Sequence, residues 1–301
     1  MEIQSVSTFV DEGIALDFFE KWTAQVKQLS GTDYERIDVE TVLGNTVVWG
    51  INTEKTDRST IVIFPGFRTC SLFWDLDNAL EPLKKRYRIF LVDVNGQPCL
   101  SDGKTPEIRS IDYGIWAAQL LEKLSIRKAI IAGASFGGLI SLKLALVAPY
   151  LVDKVILLNP GCLQSFSLSL RNLYYNFLPL LLPREENVAK FLDNAVFYKN
   201  KHTVSDKAKK LIIDYELFAI TQFYDRAQKP YPMDKDELES IRPDVYLILG
   251  EKDMLFPYKK SLVIARKHLH TLREIYVVPE TGHGIETSKK AMTIVASVAD
   301  H

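Results

Sequence analysis

Ser135 stands in Gly133-Ala134-Ser135-Phe136-Gly137, with an apolar run at 129–132 before it and a helical pattern at 139–148 after it. Strand, sharp turn and helix in that order hold a serine on a strained backbone with its hydroxyl clear of the chain, and the flanking glycines, with Gly138, let strand and helix approach. The five-residue pattern alone is common; its strand and helix give it meaning. A serine hydroxyl is a weak nucleophile until a base takes its proton, so this chemistry also asks for a base, an acid to orient it and donors for a developing oxyanion. His283 is the candidate base, because Gly282-His283-Gly284 follows the last apolar strand and precedes the final helix. The other histidines lack such surroundings: His202 falls in a long helical interval, His268 and His270 at a helix end, and His301 at the chain end. For the acid, Gly250-Glu251-Lys252-Asp253 offers two carboxylates after the strand at 245–249, and Asp253 is preferred because it lies farther into the loop. Asn159, at the end of another strand, cannot carry the negative charge that steadies an imidazolium. The backbone N–H groups of Phe67, after Pro65-Gly66, and of Phe136 are the candidate oxyanion donors. Arg68 reads as a solvated arginine.

These groups need a scaffold that brings strand ends together. Apolar runs without alternation occur at 60–64, 87–92, 129–132, 154–158, 245–249 and 274–278, as expected for strands covered on both faces. Helical patterns separate most of them, including 109–124, with Ile111, Ile115, Ala118 and Leu121 on one face, and 258–269. The alternation argues for an α/β fold with a mainly parallel sheet. Upstream, 11–29 predicts an amphipathic helix through Ala15, Phe19, Trp22, Val26 and Leu29. Alternation at Ile37, Val39 and Thr41, a turn at Gly44-Asn45 and a return at 46–51 predict a hairpin forming an antiparallel edge. The interval 159–242 holds no strand pattern but helical ones at 166–177, 185–197 and 204–227, so a helical insertion between two late strands is expected. No internal repeat or low-complexity segment is found.

The chain has 301 residues, 47% of them hydrophobic and 25% charged, with a formal net charge of -1. That balance gives no reason to expect nucleic acid or an anionic membrane as partner. Residues 1–13 do not read as a secretory signal, and no run is long enough to span a membrane; the most apolar, 177–182, is broken by Pro179 and stopped by Pro183. Three widely spaced cysteines, Cys70, Cys99 and Cys162, suit a reducing cytoplasm. No Cys/His spacing or phosphate loop calls for a metal or organic cofactor. A small-molecule substrate is the expected partner, and the oligomeric state is not read from the sequence.

With these residues in hand, the chain resembles the serine-dependent α/β-hydrolase-fold family, carboxylesterase-like and with a helical cap. The likeness covers about 36–160 and 241–299. It rests on Phe64-Pro65-Gly66-Phe67 followed by Trp74, Gly133-Ala134-Ser135-Phe136-Gly137-Gly138, Gly250-Glu251-Lys252-Asp253 and Gly282-His283-Gly284. It implies Ser135, Asp253 and His283 as a triad and Phe67 and Phe136 as the oxyanion hole. The implied organisation is an N-terminal helical extension at 1–35, a core at 36–160 and 241–301, and a cap at 161–240. Two departures stand out. Pro65 occupies a place where many members have His, which touches on how the oxyanion loop is held, and 93–101 is a looser form of a common Asp-x-x-Gly-x-Gly-x-Ser loop.

The expected reaction is hydrolysis of an ester or related acyl bond through an acyl-enzyme. The cap residues Leu170, Leu173, Tyr174, Phe177, Leu180, Phe218, Phe223 and Tyr224 would either shape an apolar or aromatic pocket or simply glue cap to core. Three alternatives stay open. Ser-Phe-Gly-Gly is similar to the elbow of carbon-carbon bond hydrolases of ring-cleavage products, although those place a tryptophan where this chain has Gly284; acyl transfer needs only a pocket that excludes water; and a small-molecule receptor could keep the fold with little turnover.

Overall fold

The structure, a computed structural model, describes residues 9–198, 204–224 and 229–301. It opens with α1 (Glu12–Ser30), β1 (Glu35–Thr41) and β2 (Gly44–Ile51). Then come β3 (Thr60–Phe64), α2 (Glu81–Lys84), β4 (Arg88–Val92), α3 (Asp112–Lys123), β5 (Ala129–Ala134), α4 (Phe136–Val147) and β6 (Val152–Leu158). Four helices follow: α5 (Leu170–Leu181), α6 (Glu185–Phe191), α7 (Asp206–Gln222) and α8 (Lys235–Glu239). The chain then returns to the sheet with β7 (Asp244–Gly250), α9 (Tyr258–His268), β8 (Leu272–Val278) and α10 (Lys289–Asp300).

Among the described residues, eight strands form one sheet in the order β1-β2-β4-β3-β5-β6-β7-β8. The β1–β2 and β2–β4 pairs are antiparallel and the rest parallel, so the opening hairpin is an antiparallel edge on a parallel sheet. Alternate strand residues feed two separate cores. Ile61 and Ile63 of β3 pack with Leu83 of α2 and Val295 of α10, while Val62 and Phe64 pack with Trp116 of α3 and Leu142 of α4. Burial on both faces is why these strands read as unbroken apolar runs. The parallel strands all point their carboxyl ends to one rim, where ligands of such sheets bind.

Four local expectations differ from the structure. The hairpin turns at Val42-Leu43, with Thr41 opposite Gly44, two residues before the expected turn. Thr41 Oγ1 accepts the Leu43 N–H and donates to Gly44 O, closing the tighter turn, and Gly44 takes φ 89° as the first strand residue. In α3, Ile111 and Ile115 are exposed; the buried stripe is Tyr113, Trp116, Ala117, Leu120 and Leu121. Two apolar sets share that helix, and the one carrying Tyr113 and Trp116 packs on the sheet, where the Trp116 ring meets Phe64 at 5.9 Å. Helix α5 begins only at Leu170, capped by the Ser169 side chain, because Ser167 donates its N–H to Leu255 O and holds 166–169 out of the helix. It then runs through Pro179, whose ring is buried near the helix end, so packing offsets the lost N–H. Of the helical pattern at 204–227, residues 206–222 form α7, and 225–227 lie outside the described residues, as does His202.

Candidate active site

Ser135 links β5 to α4 with φ 49° and ψ −109°, a conformation that costs an L-residue strain. The turn is held from three directions: its N–H donates to Leu158 O at 2.9 Å, and its carbonyl accepts from Gly138 and Gly161. The glycines are steric requirements. A Cβ on Gly133 would lie 2.3 Å from Gly137 O, and one on Gly137 would lie 2.1 Å from Phe64 O. The elbow can form only where strand and helix backbones touch. Ser135 is buried but not sealed, at 9% exposure, and stands at the start of α4, where helix N–H groups favour negative charge.

His283 follows β8, and its Nδ1 lies 2.9 Å from Asp253 Oδ2. The other oxygen, Oδ1, accepts the Leu255 and Phe256 N–H groups at 2.8 and 3.0 Å, so the carboxylate cannot rotate without losing bonds. An ionised carboxylate only accepts, which makes Nδ1 the donor and leaves Nε2 free to take a proton. Burial lowers the imidazole pKa, but the charge and hydrogen bond of Asp253, with the charge of Glu286, outweigh it, and the net direction is upward. The Phe256 ring packs 5.4 Å from the imidazole, centroid to centroid. Among the described residues no hydrogen bond joins His283 to Ser135 Oγ. Such bonds commonly tighten only with substrate in place. Glu251, the rejected acid, instead accepts the Glu280 N–H at 3.1 Å and braces the histidine loop from outside. The Asn159 side chain bonds backbone, at Gly250, Gly282 and His283.

Gly66 borders the elbow closely, since a Cβ built on it would lie 3.7 Å from Ser135 Cβ. This brings the backbone after Gly66 to Ser135. The Phe67 ring meets the Phe136 ring edge-on at 6.0 Å. With Pro65 at this loop, other groups hold it: Thr69 Oγ1 donates to Gly66 O at 2.9 Å, and the Arg68 N–H, at φ 59°, donates to Gln97 Oε1 at 2.7 Å. Gln97 is fully buried in the loop after β4, and its Nε2 has no hydrogen-bond partner among the described residues. Sequence reasoning passed over Gln97, although its place beside Gly96 in the divergent loop was a usable signal.

The helical insertion lies on the loops at the carboxyl rim. Tyr215 of α7 donates to Pro98 O, and the Gly284 N–H donates to Val196 O. Of the cap residues named from the sequence, Phe218 and Phe223 are buried against the N-terminal segment. Phe218 stacks on Phe18 at 3.9 Å, and Phe223 meets Phe9 at 5.9 Å. These two are glue. Leu170, Tyr174, Phe177, Leu180 and Tyr224 are exposed. A cleft of about 470 Å³ lies beside the acid loop, lined by Ser167, Arg171, Phe197, Tyr198 and Met254 among others, without Ser135 or His283. Glu216 of α7 is buried, and burial pushes its carboxyl up to about 7 while the charge of Arg68 works the other way.

The family model described as alpha/beta hydrolase fold matches residues 59–189. An uncharacterized carboxylesterase of Bacillus subtilis (strain 168), nap, is 25% identical over 246 residues, covering 81% of this chain and 79% of that protein. The uncharacterized hydrolase YugF of the same organism is 29% identical over 242 residues, covering 75% and 84%. Among solved structures, naproxen esterase (carboxylesterase NP) from Bacillus subtilis superposes with a TM-score of 0.79 at 21% identity, over 96% of this chain and 97% of that one. Among the described residues, no helix is long and apolar enough to cross a membrane. The eight-stranded sheet, the family model and these relatives together make the chain an α/β-hydrolase-fold enzyme of the serine hydrolase type, similar to carboxylesterases.

Proposed function

We propose that the protein hydrolyses an ester, or a related acyl bond, of a small molecule through an acyl-enzyme on Ser135. His283 Nε2 takes the Ser135 proton as Oγ attacks the carbonyl carbon. Asp253 holds the ring and steadies the imidazolium, and the Phe67 and Phe136 N–H groups receive the oxyanion. Collapse returns the proton to the leaving alcohol and leaves the acyl group on Ser135. Water, deprotonated by His283, then releases the acid. The observation that carries this reading is the Asp253–His283 bond at 2.9 Å, which fixes the tautomer a general base needs. The carboxylesterase relative favours ester cleavage over carbon-carbon cleavage, and Gly284 in place of a tryptophan agrees.

An apolar or aromatic acyl group suits the rings near the site, Phe256 by His283 and Phe67 by Phe136. Three free, buried cysteines suit action in a reducing compartment such as the cytoplasm. The test is intact-mass analysis after a fluorophosphonate probe, with p-nitrophenyl esters of rising acyl length as substrates. One adduct on the wild type, none on Ser135→Ala and a much slower one on His283→Ala is the expected result. A folded wild type that stays unlabelled sinks the proposal.

A further inference from the structure

Asn159 follows β6 with φ 41°, in the left-handed region that asparagine tolerates better than most residues, and it is 1% exposed. Its side chain spends its hydrogen-bonding capacity on two loops. Oδ1 accepts the Gly250 N–H at 2.7 Å, and Nδ2 donates to Gly282 O at 2.9 Å and His283 O at 3.1 Å. The partners fix the amide orientation, because an N–H needs an oxygen and two carbonyls need N–H groups. Its own N–H donates to Ile248 O on β7 at 3.0 Å. Gly250 is the residue whose carbonyl accepts the Asp253 N–H, at 3.2 Å. One end of the amide therefore holds the turn that carries the acid, and the other holds the backbone of the base.

The strand ends are also in direct backbone contact here. A Cβ on Gly250 would lie 2.5 Å from Gly282 O, so the acid turn and the histidine loop meet at Asn159 with no side chain between them. On the other side, β6 ends at Leu158, whose carbonyl accepts the Ser135 N–H. Asn159 is thus one residue from the strand end that supports the nucleophile and bonded to both loops that carry its partners.

We propose that Asn159 is a positioning residue that sets the register of the His283 loop against the Asp253 turn, so that the 2.9 Å acid–base bond forms with the imidazole aimed at Ser135. The inference rests on the serine mechanism above. Aspartate, alanine and serine do not replace it: alanine and serine leave polar backbone unpaired, and an ionised carboxylate faces two carbonyl oxygens.

The experiment compares wild type, Asn159→Ala and Asn159→Asp in steady-state hydrolysis of a p-nitrophenyl ester across pH. Melting curves and the far-downfield proton resonance of the His283 Nδ1–H···Asp253 bond are recorded alongside. For a folded Asn159→Ala, kcat falls roughly 10- to 100-fold with KM nearly unchanged, as expected when reacting groups are misplaced by about an ångström. The acid limb of kcat/KM moves to lower pH as the Asp253 contact loosens, and the resonance broadens. If Asn159→Ala does not fold, Asn159→Asp decides. Its carboxyl donates to one of the two carbonyls, and only while protonated, so its activity relative to wild type falls as pH rises. A charge that merely raised the imidazole pKa would make that ratio climb instead. A folded Asn159→Ala with wild-type kcat, acid limb and resonance overturns the proposal, as does an Asn159→Asp ratio that is flat or climbs with pH. A wild type that takes no fluorophosphonate on Ser135 fails the serine mechanism itself, a result separate from either.

Discussion

Asp253 meets His283 with one carboxylate oxygen and ties down its own turn with the other: Oδ2 is 2.9 Å from Nδ1, and Oδ1 accepts two backbone N–H groups. The acid is therefore fixed before any substrate arrives, and the direction of the imidazole follows from it.

Asp253→Asn should keep the turn, since an amide oxygen still accepts the Leu255 and Phe256 N–H groups. Its amide nitrogen then faces Nδ1 and forces the proton onto Nε2, which can no longer accept from serine. The expected loss in kcat is on the order of 10⁴-fold with little change in melting temperature. In the wild type, kcat/KM should fall on acidification with a midpoint above the ordinary imidazole value, because the net shift is upward. The same raised pKa contributes stability that is fully present below the unfolded value and lost as pH rises through the folded one, so activity and this stability term move in opposite directions. A midpoint at or below that of a free histidine would contradict the Asp253 coupling.

Gly137→Ala should destabilise by roughly 3 kcal/mol or more, because its Cβ meets the Phe64 and Pro65 carbonyl oxygens, which cannot move without opening the sheet. Gly66→Ala meets only ordinary contacts at 3.5 and 3.7 Å and should fold near wild-type stability. Denaturant melts of the two variants give the comparison, and equal stability would mean that the elbow is looser than its backbone contacts imply.

Gln97→Leu removes the acceptor for the Arg68 N–H while filling similar space. The loop that carries Phe67, the proposed oxyanion donor, should then lose one of its two anchors. We expect kcat to fall about 10- to 100-fold with KM little changed, as for partial loss of an oxyanion donor. Gln97→Glu, which keeps an oxygen facing that N–H, should recover more of the activity. Stopped-flow acylation rates for the three proteins test this; an undiminished rate in Gln97→Leu would show that Thr69 alone suffices.

Glu216 has a folded pKa of about 7 against an ordinary 4.5, raised by burial. Below the ordinary value both states are protonated and the group is neutral to stability. As pH rises towards 7, only the unfolded chain ionises, and folding is progressively disfavoured. Glu216→Gln should therefore stabilise the protein above pH 7, by on the order of 3 kcal/mol, and leave it nearly unchanged near pH 4. Thermal melts at the two pH values check the sign.

Much of this protein follows from sequence alone, and for a local reason. The elbow and the histidine loop need glycines where backbones touch, and a strand covered on both faces needs an unbroken apolar run, so Ser135, His283 and the parallel sheet are written in adjacent residues. Other features depend on residues far apart in the chain. Glu251 and Asp253 share one turn, and their order in the sequence favours Asp253 only as the one farther into the loop; the fold sends Glu251 to the outside of the histidine loop and Asp253 to the imidazole. Helix α3 carries two apolar sets, and the fold buries Trp116 while leaving Ile115 exposed. Gln97 acts on a residue 29 positions away, and Asn159 on residues 91 and 123 positions away. A side-chain amide has the same local signature wherever it lies, and its role is set by which backbone groups the fold leaves within its reach.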